Sequence, residues 1–233
     1  RACVDAIVAA NAAGMHHLDQ HASRGRRKGS SVSSEGLVWA SFMHATSRAL
    51  DPHPHIHNVV MNFIEDPHGE RRAVDARFLF VEAKTASALA TAQLRWELNR
   101  AFPRLAWTRH SRSGVWEIAG VGTELIREFS TRRSEIEDAA RQLVHDDGTL
   151  PTRFELQEIS RTTRSPKKVV DAAEVLADWM ARAETLGFDE TAICQQGPPE
   201  PTAWSEELND AEKVDLFQFL ATSPDGACHE EST

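Results

Sequence analysis

Apolar residues recur every three or four positions in several segments, which is the period of an amphipathic helix. Residues 80–102 show it clearly. Ser130 or Thr131 is suited to cap one helix, and Ser165 with Pro166 to start another. We therefore expect helices over residues 3–22, 80–102, 121–129, 130–144, 165–187 and 210–221.

Two further segments are dominated by bulky apolar residues without this period, as β-strands are. They cover residues 36–44 and 55–64, and Pro54 is expected to limit the second strand. Short strands are expected over residues 104–109 and 115–118. Neighbouring strands of this kind pair in antiparallel fashion, so the pattern predicts an α+β fold with an antiparallel sheet flanked by helices.

The composition is that of a globular protein, because 41% of the residues are hydrophobic and 26% are charged; this excludes a disordered chain. No apolar run approaches the ~18 residues that a membrane span requires. The three cysteines form no CxxC pair, so neither a disulfide framework nor a thiolate zinc site is expected. A reducing cytoplasm fits this cysteine usage best.

Charge is unevenly distributed, although the net charge is −9. Residues 1–112 carry 15 Lys and Arg against 10 Asp and Glu, whereas residues 165–233 carry 4 against 15. The basic half could face phosphate while the acidic part stays in solvent. We expect a first domain over residues 1–145, a helical extension over 146–193, and an acidic, linker-like tail over 194–233.

A basic cluster follows the first predicted helix. It consists of Arg24, Arg26, Arg27 and Lys28, and the glycine and serines after it predict a mobile loop. Such a loop could track the phosphate backbone of DNA. A solvated loop without a ligand is the alternative.

Histidines are concentrated around the two main strands. His55 and His57 share a face of one strand, because side chains two residues apart point the same way. Pairing of the two strands would bring His44 beside them. Three neutral imidazoles with open coordination positions are typical of a catalytic divalent-metal site. The alternative is a polar surface pattern without metal.

The stretch HATSRALDPHPHIHNVVMN at residues 44–62 resembles the metal motif of conjugative relaxases of the TrwC/TraI (MobF) type. Residues 72–77 (RAVDAR) are similar to a second motif of that family. The resemblance covers about residues 1–145 and weakens over 155–190.

The resemblance implies the palm fold of the HUH endonucleases, incomplete at its N-terminus, with a helical C-terminal extension. It also implies nicking and rejoining of single-stranded DNA at a plasmid transfer origin, within a set of relaxosome proteins. A tyrosine hydroxyl of the family attacks the scissile phosphate, and a divalent ion (Zn, Mg or Mn) neutralises the developing charge. By motif position the ligands are His44, His55 and His57, whereas His53 is excluded. Arg48 either contacts phosphate or pairs with Asp51.

The chain contains no tyrosine, and the family's nucleophilic tyrosines lie near its N-terminus. We therefore expect a piece of a relaxase that supplies the metal site and a DNA-binding surface but is inactive alone. Two alternatives remain open at this point. One is a catalytically inactive DNA-binding remnant, and the other is a three-histidine metallohydrolase.

Overall fold

The computed structural model describes residues 1–110, 114–143, 149, 151–163 and 170–197. Its elements in chain order are α1 (Ala2–Ala22), β1 (Arg24–Arg27), β2 (Ser30–Ser33), β3 (Trp39–Thr46), β4 (Pro52–Val60), β5 (Ile64–Glu65), β6 (Arg71–Arg72), α2 (Ala76–Ala101), β7 (Trp107–Arg109), β8 (Trp116–Ile118), α3 (Thr123–Glu128), α4 (Thr131–Gln142), α5 (Arg153–Thr162), α6 (Ala172–Thr185) and α7 (Glu190–Cys194).

The strands form antiparallel pairs of consecutive strands: β1 with β2, β3 with β4, β5 with β6, and β7 with β8. Together with the helices they confirm the predicted α+β class. No helix in the described part of the chain is long and apolar enough to cross a membrane.

The two long helices, α1 and α2, pack against each other through small side chains. Ala6, Ala10 and Gly14 of α1 are buried, and so is Ala86 of α2. A Cβ atom at Gly14 would lie only 3.1 Å from the carbonyl oxygen of Ala86. The alanine-rich composition that predicted α1 therefore also permits the close approach of the two helices.

The predicted mobile loop at Arg24 to Lys28 is wrong, because these residues form one arm and the turn of the β1–β2 hairpin. Lys28 and Gly29 have φ of 47° and 87°. Positive φ at both central residues is the geometry of the tight hairpin turn that matches the twist of the strands. Gly25 of this hairpin lies against Ile64, which is almost fully buried.

The two strands that carry the histidines, β3 and β4, pair over nearly their whole length. Pro54 does not end β4, contrary to the expectation. Between the pairs His44–His55 and Thr46–Pro52 the register shifts, so two residues of β4 lie opposite one of β3. Pro54 belongs to this bulge, where a residue without an N–H group interrupts no regular ladder bond.

Helices α3 and α4 confirm the expectations for residues 121–129 and 130–144. Ser130 occupies the N-cap position of α4, as predicted, but its hydroxyl makes no capping bond because it donates to the carbonyl of Ile126. The first turn of α4 is satisfied instead by the carboxylate of Asp51, 80 residues earlier in sequence. This partner could not be read from local sequence.

Helix α5 was not predicted, although its start has a recognisable signal. Thr152 and Glu155 form a reciprocal capping box at its N-terminus. Helix α6 begins at Ala172 with Asp171 as its cap. We expected α6 to start at Ser165 and Pro166, and these two residues lie outside the described part of the chain. The helix expected over residues 210–221 lies outside it as well.

The chain divides into two compact units. The first comprises residues 1–101 and 122–189 and contains both histidine strands. The second comprises residues 102–121 with the described residues 190–197. The division at residues 145 and 193 remains a prediction.

Candidate metal centre

The pairing of β3 and β4 places the three predicted histidines on one face of a two-stranded sheet. His44 lies directly opposite His55, and His57 follows two residues later on the same face. The opposite face is turned to α1, where the side-chain amide of Asn58 donates to the side-chain oxygen of Asn11 at 2.7 Å. Helix α1 therefore covers one face of the strand pair, and the three imidazoles lie on the other face.

The imidazole rings converge. Their centroids are 5.3 Å apart for His44 and His55, 4.7 Å for His44 and His57, and 4.9 Å for His55 and His57. One ligand nitrogen from each residue lies within 4.8 Å of the others. The Nε2 atoms of His55 and His57 are 3.2 Å apart. A tetrahedral ion with bonds of about 2.0–2.1 Å would hold two nitrogens about 3.3 Å apart, so this pair fits a metal.

The orientation of His55 is fixed by the backbone. The Nδ1 atom of His55 lies 2.6 Å from the carbonyl oxygen of His53, and this contact places the proton on Nδ1. The lone pair of Nε2 is then free to face the other histidines, as in many metal-ligating histidines. The ring of His53 lies beside that of His55 with centroids 4.5 Å apart, but it is not in the converging triad.

The three imidazoles open into a groove of about 780 Å³. Its near wall is the end of β3 and the following loop, including the half-buried Arg48. Its far wall comes from α4 and α5. The lining residues of that wall, which the sequence did not single out, are Arg132, Gln157, Ser160 and Arg161.

The cations of the groove differ in how they are engaged. Arg132 donates to the carbonyl oxygens of Ser160 and Thr163 and so joins α4 to α5. Arg161 pairs with Glu158 of its own helix. Arg48 does not pair with Asp51, whose carboxylate is held by Thr131 and Arg182. The ion pair that was the alternative to a phosphate contact is therefore not formed.

In the hairpin, two residues of the predicted basic cluster contact other side chains and two lie exposed at the turn. Arg24 stacks over the ring of Phe78, and Arg26 pairs with the buried Asp75 at 3.1 Å. Both guanidinium groups thus have structural partners. Arg27 and Lys28 lie exposed at the turn.

Buried carboxylates support the hairpin region. Hydrogen bonds from Arg77 to the carboxylate of Asp75 lower its pKa more than burial raises it. With a smaller contribution from Arg26, they hold this pKa well below its ordinary value of 3.8. At Asp66, burial acts to raise the pKa. Backbone N–H groups and Arg72 outweigh it, so this pKa is also lowered. Both groups are therefore structural anions at neutral pH.

The model of the TrwC relaxase family matches residues 1–186, a stretch that contains the histidine strands, the groove and α1 to α6. This chain belongs to the TrwC relaxase family. The multifunctional conjugation protein TraI of Escherichia coli K12 is 31% identical over 165 residues, or 68% of this chain. The chain spans only 9% of the length of TraI.

Solved TrwC structures share the fold. A metal-free complex of TrwC with OriT DNA superposes with a TM-score of 0.69 at 26% identity, covering 81% of this chain and 66% of TrwC. A metal-bound complex gives a TM-score of 0.68 at 26% identity, with 81% and 65% covered. The sequence resemblance to relaxases is thereby confirmed.

Proposed function

We propose that this chain supplies the metal-holding and DNA-contacting part of a conjugative relaxase, which nicks and rejoins one DNA strand at a plasmid transfer origin. The observation that carries the proposal is the convergence of His44, His55 and His57 at the mouth of an open groove. A relaxase must bring a phosphodiester to a charge-neutralising centre, and an extended single strand needs an open groove.

The roles of the residues follow from their placement. His44, His55 and His57 would hold a divalent ion through ring nitrogens. When bound, such an ion neutralises charge that develops on the non-bridging oxygens of a phosphate. Arg48 would donate to a phosphate oxygen from the same groove wall, and so fix the strand beside the imidazoles.

The candidate ions are Zn, Mg and Mn. Imidazole is a good ligand for Zn and is accepted by Mn, whereas Mg prefers oxygen ligands. The donor set of three histidines therefore favours Zn or Mn over Mg. TrwC itself has a metal-bound structure, and we extend metal binding to this chain on the fit of its triad.

The partner we propose is single-stranded origin DNA, by analogy with the OriT complexes of TrwC. The exposed Arg27 and Lys28 would add phosphate contacts at the hairpin turn. Relaxosome proteins are further proposed partners, and the cytoplasm is the proposed compartment. Among the described residues, neither Cys3 nor Cys194 forms a disulfide, which is compatible with a reducing environment.

The covalent step needs a hydroxyl that this chain does not carry as tyrosine. In that step a hydroxyl oxygen bonds to phosphorus, the bond from phosphorus to the 3′ oxygen breaks, and the 3′ hydroxyl leaves with a proton. We therefore propose that the chain binds and positions DNA and does not itself supply the attacking tyrosine.

An experiment with labelled single-stranded origin DNA tests this proposal. Fluorescence anisotropy should show binding, and a denaturing gel should show no covalent adduct. Arg48→Ala should weaken binding about tenfold or more, because a hydrogen bond to a charged group contributes about 1.5–3 kcal/mol. Arg133→Ala is the matched control, since Arg133 is exposed and pairs with Glu137 of its own helix. An adduct formed by this chain alone, or equal loss in both variants, would contradict the proposal.

A further inference from the structure

The loop between β3 and β4 is held by α4 and α6, two helices that come much later in the sequence. Asp51 of this loop is 2% exposed. Its carboxylate accepts hydrogen bonds from the N–H of Thr131 at 3.0 Å and from the Thr131 hydroxyl at 3.1 Å. A guanidinium nitrogen of Arg182 lies 3.4 Å away. The loop is thereby tied to the N-terminus of α4 and to α6.

A second tie acts on the backbone of the preceding residue. The indole N–H of Trp179 donates to the carbonyl oxygen of Leu50 at 2.7 Å. Leu50 has φ of 68°, a left-handed conformation that is unfavourable for a residue with a branched side chain. Such a conformation persists where neighbouring contacts impose it. Here the Leu50 N–H donates to the Ser47 carbonyl at 3.2 Å within the turn, and Trp179 holds the Leu50 carbonyl from α6.

Arg182 is itself fixed by several partners. It donates to the side chain and to the carbonyl of Glu128, each at 2.9 Å, and its guanidinium lies 4.5 Å from the ring centroid of Phe129. The contact to Asp51 is therefore made by a side chain that is already held in place. A well-positioned cation of this kind transmits the position of α6 to the loop.

The held loop lies next to the metal ligands. The register between β3 and β4 shifts between the pair Thr46–Pro52, beside the loop, and the pair His44–His55. How the loop closes thus determines which residue of β4 lies opposite His44. A displacement of the loop would change the separation of the imidazoles before it changed the rest of the sheet.

We infer that Asp51, Thr131, Trp179 and Arg182, which we call the loop anchor, are positioning residues for the histidine triad. Through them α4 and α6 set the affinity and geometry with which the triad holds a divalent ion. The inference rests on the proposed metal-binding function. It adds that α4 and α6, which carry no metal ligand, contribute to metal binding by positioning the three histidines.

The test uses Co²⁺, whose visible absorption reports ligand geometry. Trp179→Phe removes the indole N–H but keeps an aromatic ring, and Trp96→Phe on α2 is its matched control. Affinity is measured by competition with a chelator, and circular dichroism establishes that each variant is folded. Mutating a group that hydrogen-bonds a metal ligand typically lowers metal affinity 10–100-fold, and Trp179 acts on the ligands only through the loop, so its effect belongs at the low end of that range. We expect about a tenfold loss and an altered Co²⁺ band in Trp179→Phe, and no change in Trp96→Phe.

A pair of variants at Asp51 adds a rescue measurement. Asp51→Asn keeps an acceptor for Thr131, so it should retain more Co²⁺ affinity than Asp51→Ala. If the wild type binds Co²⁺ and folded Trp179→Phe binds it with unchanged affinity and spectrum, the loop anchor is overturned while the proposed function stands. If the wild type binds no Co²⁺, both are overturned.

Discussion

The hairpin that carries Arg27 and Lys28 depends on the missing side chain of Gly25. A Cβ atom built there would lie 2.8 Å from Cδ1 and 2.9 Å from Cγ1 of Ile64, and 3.0 Å from Cβ of Arg72. Real Cβ atoms do not approach carbon so closely, and Ile64 is 1% exposed, so it has no free space to turn into. Gly25→Ala should therefore displace the hairpin or compress the site.

The magnitude follows from the contacts. Overpacking by one methyl group costs about 1–3 kcal/mol, and Ile64→Val alone should cost about 0.5–1.5 kcal/mol because it removes a buried methyl group. The methyl group lost in Ile64→Val is Cδ1, the atom closest to the new Cβ. The double variant should consequently be about 1 kcal/mol more stable than the sum of the single effects predicts.

The free energy of unfolding of the four proteins would be measured by urea denaturation followed by circular dichroism. Gly122→Ala is the control, because its backbone φ is −64° and no atom lies within 4 Å of its Cβ position. It should cost less than Gly25→Ala, because the new methyl group meets no atom and only the preference for glycine at the N-cap of α3 is lost. A Gly25→Ala variant as stable as the wild type, or additive effects of Gly25→Ala and Ile64→Val, would show that Gly25 and Ile64 are not in tight contact.

Three further predictions follow from the charges and caps. The pKa values of Asp75 and Asp66 are lower in the folded protein than in the unfolded chain. Their contribution to stability is therefore complete above about pH 4 and is lost as the pH falls. Urea denaturation at pH 7 and at pH 3 should show that the free energy of unfolding decreases less in Asp75→Asn than in the wild type. Arg27→Ala with Lys28→Ala should weaken single-stranded DNA binding for all sequences and reduce the salt slope by about 0.7 per lost phosphate contact, and an unchanged slope would exclude these contacts. Thr152→Ala should destabilise α5 by about 0.5–2 kcal/mol, and unchanged proteolysis of α5 would argue against the capping box.

The candidate site was largely predictable from sequence because its geometry is local. Alternation along a strand places His55 and His57 on one face, and a hairpin connection brings His44 beside them. The α+β class followed from the same patterns. The register of β3 against β4 was harder to predict from sequence. We expected Pro54 to break β4, whereas it is accommodated in a bulge.

Other features depended on contacts between distant residues. Asp51 caps α4 across 80 positions of sequence, and no local pattern reveals such a partner. The far wall of the groove was missed for the same reason, since Arg132 and Ser160 meet only in the folded chain. The β1–β2 hairpin left only a weak local signal, because Gly29 suits a two-residue turn whereas Lys28 is not a residue that favours positive φ.

The most direct test of the central claim is the metal content of the purified chain. Wild-type protein, the double variant His55→Ala/His57→Ala and the control His53→Ala/His68→Ala would each be equilibrated with Zn²⁺ or Mn²⁺, freed of excess ion, and assayed by elemental analysis. We expect about one ion per chain in the wild type and the control, and a sharp loss in His55→Ala/His57→Ala. Stoichiometric metal retained by His55→Ala/His57→Ala would contradict it.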